Sequence, residues 1–400
     1  MTLSTLLDRK PLRRIVWLKC TLALTLISEF AVAPRLWLSD SFFGPIPVFD
    51  WIPSLASPFD WIILGALAVL LGPIAVLKRP GKFVIAWCVL FFSRSVWDEI
   101  TWQPYFLQFF VMMASLAFVD WSDEEGQTGT ARRVLNVNRL IFVAIYFWSG
   151  VAKFHYKFIT EFISGTFSLN EDTASWGASL PWWLGAPVPV IETLLAVALV
   201  SSKYRAVGVL GLSGMHVLIL AVAGPTILTY NQIIWPWNVA MILFLFVLFW
   251  GDKETQLAQM VWIRAFPIQK VALVFFVLCP LLSYVGLWTP WLSFRLFAMR
   301  YYKGYAFMKQ SVVERMPVEW QEQVEKSPFP QFDAKLSLTN WPERELKAFP
   351  PWKPSVFKEL GRRLGRFAEG RDDLGIIILD PPHFWTGERQ QHRYLLHQLE

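Results

Sequence analysis

Long apolar stretches separated by short polar loops recur between residues 14 and 289. Each stretch has roughly the 17–21 residues that a helix needs to cross about 30 Å of hydrocarbon, so the pattern predicts about nine membrane-spanning helices. The third is short, and the fourth is also compatible with a re-entrant segment. We place the nine spans near residues 14–33, 59–77, 82–95, 104–120, 139–158, 185–201, 204–223, 233–250 and 270–289.

The composition supports the same class of protein. Hydrophobic residues make up 54% of the 400-residue chain and charged residues only 17%, below the roughly 25% of soluble domains. The 22 tryptophans favour membrane interfaces. The net charge of +6 is concentrated in short loops and the C-terminal tail, so nucleic-acid binding is not indicated. We therefore predict a multi-pass membrane protein, with membrane lipid as a partner.

Cysteine usage and the N-terminal segment exclude some simpler interpretations. Cys20, Cys88 and Cys279 lie in separate apolar segments without a CxxC pair, so we predict neither a zinc site nor a thiol redox centre. The first apolar run follows a basic stretch and resembles a signal peptide. Because Lys19 and Glu29 interrupt that run and further spans follow, we predict an uncleaved first span.

The loop charges predict an orientation. Short loops on the cytoplasmic side of a membrane protein are rich in Lys and Arg, which places the N-terminus in the cytoplasm and, with nine spans, the tail outside it. In a bacterium the membrane is then the plasma (inner) membrane. The basic loops carry Arg9, Lys10, Arg13, Arg14, Lys78, Arg79, Lys82, Arg132, Arg133, Lys203, Arg205, Lys253 and Arg264. The opposite loops carry Asp40, Asp50, Asp60, Asp98 and Glu99.

The tail differs in composition from the rest of the chain. We expect a transmembrane domain of residues 1–290 and a small extracytoplasmic α+β domain of residues 291–400, so the fold class is an all-α polytopic bundle with an appended α+β domain. Ser293 to Met308 and Gly375 to Leu379 predict strands, and Ser355 predicts a helix cap. The helix after it carries one apolar stripe, formed by Val356, Leu360, Leu364 and Phe367. Its other faces are basic, which indicates a solvated surface or, as the alternative, a lipid-headgroup site.

Lys153 lies in a run that otherwise predicts a membrane helix. A cation at membrane depth costs roughly 2.5–3.5 kcal/mol on insertion scales, so it normally has a partner or a role. With a rise of 1.5 Å per residue, Lys153 is expected about 8 Å below the outer surface. Ser149 lies one helical turn earlier on the same face, and Gly150 leaves room beside it, whereas His155 points in nearly the opposite direction.

Four further polar residues fall at a similar depth on four other spans. They are Glu29, Glu192, His216 and Asn238, each expected about 6–11 Å from the outer surface. Ionisable residues at membrane depth usually face the interior of a bundle and pair with one another. We call the five residues the polar layer and predict that they line a cavity open to the outside. The alternative is structural: Glu192 or Glu29 neutralises Lys153, and His216 is a hydrogen-bonded core histidine.

Segments on the same side are candidates for closing such a cavity. The loop Trp97–Tyr105 contains two acids, two indoles, an amide and a phenol, and an ordinary interfacial loop is the alternative. Gly224–Pro225 and Asn231–Asn238 break and restart helices, which is tolerated where backbone lines a cavity. We take Trp102, Gln103, Trp235 and Asn238 as candidate cofactor-binding residues.

A lysine shielded from water has its ammonium form disfavoured and can act as a base near neutral pH. A neutral histidine can relay a proton. Lys153, His216 and Glu192 are therefore the candidate catalytic residues. A carboxylate close to Lys153 would oppose the loss of its proton, so the balance depends on geometry.

Several segments carry a family resemblance. Ile145–Phe154, with Lys153, looks like the span of vitamin K-dependent gamma-carboxylases that holds their active-site lysine. Four other segments resemble sequence motifs of the wider HTTM family, the horizontally transferred transmembrane domain group. They are Trp102–Tyr105, Met215–His216, Gly224–Pro225 and Trp235–Asn238. The resemblance covers roughly residues 10–290.

The resemblance implies many spans and a lumenal C-terminal portion. It also implies that Lys153 deprotonates a reduced quinone to begin an oxygenation. The carboxylases have a second catalytic histidine near the segment that corresponds to Trp97–Tyr105, where this chain has none. Their long substrate-binding lumenal domain corresponds here to about 110 residues of different character.

Two classes of function follow. The first is a membrane enzyme that uses Lys153 as a base on a quinol-like or lipidic substrate, with Glu192 and His216 tuning it. The second is a non-enzymatic lipid or quinone binder, or an export partner, in which the polar layer is structural. A DoxX-like redox partner is disfavoured by the absence of a CxxC pair.

Overall fold

A computed structural model describes residues 10–49, 51–53, 55–123, 129–167, 175, 177, 179–224, 227, 231–261, 266–295 and 298–399. The predicted charges at Arg9, Asp50 and Arg264, and the helix break at Pro225, lie outside these ranges. The chain is mostly helical, with a small antiparallel sheet near the C-terminus. Within these ranges, six helices are long and apolar enough to cross a membrane, and two apolar helices are shorter.

The helices up to residue 285 form the bundle. They are α1 (Pro11–Val32), α2 (Phe59–Val76), α3 (Gly81–Trp97), α4 (Pro104–Leu116), α5 (Thr130–Ala152), α6 (Tyr156–Phe167), α7 (Pro187–Val200), α8 (Arg205–Ala223), α9 (Ile234–Phe249), α10 (Leu257–Val261) and α11 (Pro267–Val285). A 3-10 turn at Trp182–Gly185 precedes α7 and extends it to a 19-residue apolar segment, Trp182–Val200. Helix α5 is central, because 72% of its apolar window is buried, against 28% for α2 and α8. The apolar residues that α2 and α8 leave exposed form a surface suited to lipid.

Two spans differ from the sequence-based prediction. Helix α5 begins at Thr130, after Gly129 at φ +65°, so Arg132 and Arg133 lie in its first turns and not in a loop. Helix α11 contains a π-helical segment, Val274–Leu278, directly before Pro280. Proline lacks the N–H that would continue the α-helical ladder, which explains the local change in winding.

The C-terminal region contains a five-stranded antiparallel sheet in the order β2-β3-β1-β4-β5. Its strands are β1 (Lys303–Met308), β2 (Glu325–Lys326), β3 (Ala334–Ser337), β4 (Leu374–Leu379) and β5 (Gln391–Leu395). The helices of this region are α12 (Gln310–Arg315), α13 (Val318–Gln321), α14 (Trp341–Leu346) and α15 (Pro354–Leu364).

Helix α15 packs on β4 through the predicted stripe, in which Val356, Leu360 and Leu364 are fully buried. The prediction that Ser355 caps this helix is wrong: Lys353 is the N-cap, and Pro354 occupies the first helical position, where its fixed φ favours helix entry. The prediction of a strand from Ser293 is also wrong over its first half, since Trp291–Ser293 form a 3-10 turn and the strand begins at Lys303.

The C-terminal region lies against the loops at one end of the bundle. Gln103 Nε2 donates to Phe349 O at 2.8 Å, and Lys353 forms an ion pair with Glu99 at 2.7 Å. The backbone N–H of Asn231 donates to Glu343 Oε1 at 2.8 Å. These contacts come from two separate loops, so the C-terminal region covers the end of the bundle at which the polar layer lies.

Candidate functional site

Lys153 and Glu192 form a buried ion pair between α5 and α7. Lys153 Nζ lies 2.6 Å from Glu192 Oε2, 2.7 Å from Ser149 Oγ and 3.1 Å from Ser149 O. An ammonium group has three N–H donors, and these three acceptors satisfy all of them. Of the two carboxylates considered as partners of Lys153, the fold therefore selects Glu192.

Helices α5 and α7 approach closely at this pair because Gly150 has no side chain. A Cβ atom at Gly150 would fall 2.4 Å from Thr193 Oγ1 and 2.9 Å from the Thr193 backbone nitrogen. Such distances are too short for any larger residue without movement of a helix. Gly150 thus allows Glu192, the neighbour of Thr193, to reach Lys153.

Lys153 was predicted to lie inside a span that continues to residue 158, but this is wrong: Lys153 lies at the end of α5. The helix ends at Ala152, and Lys153 is its C-cap residue. Tyr156 N then donates to Phe384 O at 3.2 Å, so contact with the C-terminal region directs the chain into α6. The amine still reaches the bundle interior, because helical side chains point back toward the N-terminus of their helix.

A second hydrogen-bonded group joins α5, α8 and α9. The imidazole of His216 lies between Tyr146 Oη, 2.7 Å from Nε2, and Asn238 Oδ1, 2.6 Å from Nδ1. Asn238 Nδ2 donates to Ile234 O, which leaves its oxygen facing the histidine. Nδ1 therefore carries a proton, and in the neutral form of His216 the Nε2 atom accepts from the tyrosine hydroxyl.

The two groups are neighbours. The Glu192 carboxylate is close enough to act electrostatically on both Tyr146 and His216. The indole of Trp237 packs edge-on against His216, with ring centroids 5.9 Å apart. The ion pair and the His216 group are thus linked electrostatically through Glu192, and aromatic contacts continue from His216 to Trp237.

Glu29 lies beyond Trp237. The rings of Trp237 and Tyr105 are 6.4 Å apart, and Tyr105 interacts electrostatically with Glu29. Glu29 is fully buried, and neither of its carboxylate oxygens has a hydrogen-bond partner; the buried Tyr105 hydroxyl has none either. Glu29 is therefore not part of the Lys153 pair, although it lies at the same end of the bundle.

Three residues predicted to bind a cofactor make other contacts. Trp102 Nε1 donates to Ser95 O at 2.6 Å, and its carbonyl accepts from Trp291 Nε1. Gln103 binds Ile100 O and Phe349 O. Trp235 Nε1 donates to Ala223 O at 3.0 Å and so ties the start of α9 to the end of α8. The loop of Trp102 and Gln103 holds the C-terminal region in place, and only Asn238 of the four lies in the polar layer.

Tyr146, Trp237 and Gln108 belong to this site but were not among the candidates. Tyr146 precedes Ser149 by three residues and Lys153 by seven, so the three share one face of α5, and this spacing is a signal in the sequence. Gln108 accepts a hydrogen bond from Trp237 Nε1 at 3.0 Å. Its position within an apolar segment gave no indication of that partner, which comes from a helix 129 positions away.

His155 faces away from the polar layer, as predicted, although it lies in the turn between α5 and α6 and not within a helix. Its Nε2 is hydrogen bonded to Ala298 O, and its ring lies 6.2 Å from that of Phe384. Burial lowers the pKa of His155 to about 4; the bond to Ala298 opposes this shift, and three nearby arginines add to it. His155 therefore joins α5 to the C-terminal region as a neutral group.

The opposite end of the bundle has its own buried polar cluster. Arg139 binds Leu248 O and Asp252, with Nη2 2.8 Å from Asp252 Oδ2. Arg14 donates to Val247 O at 3.0 Å, and Arg205 donates to Leu199 O at 2.8 Å. The carbonyls at the C-terminal ends of α7 and α9 thus accept hydrogen bonds from charged side chains. The last C=O groups of a helix have no partner within the helix, so these bonds satisfy them.

Two cavities lie at the ends of the bundle and not in the polar layer. One, of about 140 Å³, is lined by residues that include Arg14, Arg139 and Asp252. The other, of about 20 Å³, is lined by residues that include Arg295, Arg300 and Trp352. Within the described ranges, no three His, Cys, Asp or Glu side chains converge as metal ligands would.

In comparisons with known proteins, no family model matches the chain, and no curated protein or solved structure is detectably similar to it.

Proposed function

We propose that the chain is a multi-pass integral membrane protein with nine spans, whose N-terminus is cytoplasmic and whose C-terminal region is extracytoplasmic. Support comes from the six long apolar helices and from the shorter α3, α4 and α9, which extend the alternating pattern. The loop charges favour this orientation. It places the Arg14–Asp252 end at the cytoplasmic face and the Lys153–Glu192 end at the outer face.

We propose further that the polar layer performs proton chemistry on a quinol-like or lipidic substrate. The observation that carries this proposal is the meeting of an amine, a carboxylate, a phenol, an imidazole and an amide, from four helices, inside an apolar bundle. Ionisable groups that meet inside an apolar environment often mark functional sites. The resemblance of the Lys153 segment to the carboxylase lysine span supports the same assignment. Glutamate carboxylation is not part of the proposal.

The step begins with one proton moving across the 2.6 Å hydrogen bond from Lys153 to Glu192. This gives a neutral amine and a neutral carboxylic acid, a form that a low-dielectric surrounding favours over separated charges. The amine lone pair then takes the hydroxyl proton of the substrate, which leaves a phenolate or alkoxide beside the new ammonium. Ser149 orients the amine. Tyr146 and His216 form the hydrogen-bonded path to Asn238.

The test is consumption of a reduced quinone by the purified protein, measured with oxygen uptake. We expect Lys153→Ala and Lys153→Arg to abolish it, because arginine keeps the charge but does not release a proton in proteins. Lys157→Ala is the matched control, since its i,i+4 pair with Glu161 lies outside the layer and is partly exposed. Activity that persists in Lys153→Arg would contradict the role of Lys153 as a base.

A second candidate function is non-enzymatic, with the chain acting as a lipid or quinone binder or as an export partner. The specific observation in its favour is that all three donors of Lys153 already have acceptors, as a structural charge would. In that case a cellular phenotype should survive Lys153→Arg and fail only when the charge is removed.

A further inference from the structure

A small cavity lies where the chain leaves α11 and enters the C-terminal region. It measures about 20 Å³ and is lined by Trp291, Arg295, Arg300, Tyr301 and Trp352, among others. A space of this size holds about one oxygen-sized group. Two of the residues that line it each have a buried N–H group without a hydrogen-bond acceptor.

Arg295 is the first of these donors. Its side chain is 6% exposed, and its Nε has no hydrogen-bond partner. Nη1 donates to Ser283 Oγ at 3.1 Å, and the guanidinium lies 3.9 Å from the ring centroid of Tyr284. A buried charge is normally paired with an opposite charge. Among the described residues, no carboxylate forms an ion pair with Arg295.

Trp352 is the second donor. It is 8% exposed, and its Nε1 has no hydrogen-bond partner. Its ring is fixed by stacking on Tyr301 at 3.8 Å and by an edge contact with Trp291 at 4.9 Å. Native proteins rarely leave buried N–H groups unsatisfied, so an unpaired N–H on a residue that lines a cavity points to an acceptor that enters the cavity.

The other charged side chains that the structure describes near the cavity also leave its positive charge without a counter-charge. Arg300 also lines the cavity, where it donates to Pro382 O and lies over the Phe384 ring. Burial lowers the pKa of Arg295, Tyr284 opposes that shift, and the positive charge of Arg300 adds to it. Asp380 is a nearby carboxylate, but it is bound to His392. Two guanidinium groups and an indole N–H thus share one cavity, and no carboxylate of the described residues neutralises them there.

We propose that this cavity is a phosphate-binding subsite. One phosphate oxygen enters between Arg295 Nε and Trp352 Nε1, and the rest of the group lies at the rim beside the half-buried Arg300. Guanidinium groups bind phosphate through charge-assisted hydrogen bonds, and donors from three side chains suit a tetrahedral anion. The phosphate belongs to a lipid headgroup or to a free phosphate compound. The site does not depend on proton chemistry at Lys153.

The first experiment measures the thermal stability of the purified full-length protein in detergent as inorganic phosphate is added. We expect a phosphate-dependent rise in Tm. Because hydrogen bonds to charged groups contribute about 1.5–3 kcal/mol, Arg295→Gln and Trp352→Phe should weaken binding by about tenfold or more. Trp352→Phe keeps the stacked ring and removes only the N–H, so the variant should fold.

Matched controls separate loss of the subsite from general destabilisation. Trp288 Nε1 is also buried without a partner, but Trp288 does not line the cavity, so Trp288→Phe should bind phosphate normally. Arg371 is exposed in the same region, and Arg371→Gln should also bind normally. If both controls weaken binding as much as Arg295→Gln, the proposal is overturned.

A second experiment distinguishes the two sources. Native mass spectrometry of the protein released from nanodiscs containing phosphatidylglycerol reports retained phospholipid. Phospholipid that is retained by the wild type and lost in Trp352→Phe identifies a headgroup, and phosphate-dependent Tm without retained lipid identifies a free phosphate compound. If neither probe depends on Arg295 and Trp352, there is no such subsite. Lys153 variants that lose quinol consumption should still show the phosphate-dependent rise in Tm and the retained phospholipid of the wild type.

Discussion

Gly150 lies directly against Thr193, so that a Cβ atom at residue 150 would fall 2.4 Å from Thr193 Oγ1 and 2.9 Å from the Thr193 backbone nitrogen. Gly150 is three residues before Lys153, and Thr193 is next to Glu192. The closest approach of α5 and α7 is therefore built beside the ion pair, and the helix spacing decides whether the amine and the carboxylate meet.

We expect Gly150→Ala to push α5 and α7 apart. Inserting a methyl group into a packed interior typically costs about 1–3 kcal/mol, so Tm should fall by several degrees in a detergent melt. Gly214→Ala is the matched control, since a Cβ at Gly214 of α8 meets no atom within 4 Å. The double variant Gly150→Ala/Thr193→Ala should recover only part of the loss, because the backbone contact remains. An unchanged Tm for Gly150→Ala would contradict the close contact.

The Lys153–Glu192 pair should behave as a coupled unit. Removing one partner of a buried ion pair leaves an uncompensated charge and costs about 3–5 kcal/mol, whereas replacing both with apolar residues is often neutral. We expect Lys153→Met and Glu192→Leu each to destabilise the protein strongly, and the double variant to regain most of that stability. The measurement is a double-mutant cycle from denaturant unfolding.

The same cycle provides an activity readout. If the pair only stabilises the fold, the double variant should keep the cellular function together with its stability. If Lys153 is a base, the double variant should be stable and inactive. Additive effects of the two single variants on stability would mean that the two groups do not interact.

His155 should make stability depend on pH. Burial holds the folded pKa of this histidine at about 4, below its ordinary value of 6.5. The unfolded chain therefore takes up a proton below about pH 6.5 while the folded chain does not, so stability is complete above that pH and is lost as the pH falls toward 4. We expect a loss of about 1–2 kcal/mol between pH 7 and pH 5.

Thermal melts of the wild type and His155→Gln over this pH range check the prediction. The variant should show a flatter profile, because its side chain cannot be protonated. His397→Gln is the control, since His397 is exposed and should leave the profile unchanged. An equal pH dependence in the wild type and His155→Gln would assign the effect to another group.

Asp252 should contribute to acid stability at the other end of the bundle. Burial alone would raise the pKa of this carboxyl, but Arg139 and the hydrogen bonds from Thr255 and Glu254 outweigh burial and hold the pKa below its ordinary value. The stabilisation is therefore present above about pH 4 and is lost as the pH falls through the folded pKa.

Asp252→Asn should lower Tm at pH 7 and make Tm less sensitive to pH between 5 and 3. The physical reason is that Arg139 loses its counter-charge and stays buried. Glu254→Gln is the matched control, because the Arg132–Glu254 pair is exposed on both sides, and exposed pairs contribute about 0–1 kcal/mol. A larger effect from Glu254→Gln than from Asp252→Asn would contradict this account.

The amino-acid sequence by itself determined where most apolar helices lie, because the length of an uninterrupted apolar run limits what can cross a bilayer. It also indicated that Lys153, Glu192, His216 and Asn238 lie near one end of the bundle, since depth follows from position along a helix. The apolar stripe of α15 was equally visible, because burial repeats with the helical period.

Only the tertiary structure decided which of these residues are partners. Glu29 and Glu192 were equivalent candidates for Lys153, and the contact between Gly150 and Thr193 favours Glu192. The end of α5 at Ala152 depends on the contact of Tyr156 with Phe384, which lies more than two hundred positions away. The unsatisfied donors of Arg295 and Trp352 likewise come from distant segments. Position within a helix fixes depth, but the direction of a side chain around the bundle depends on packing between helices, which no local pattern encodes.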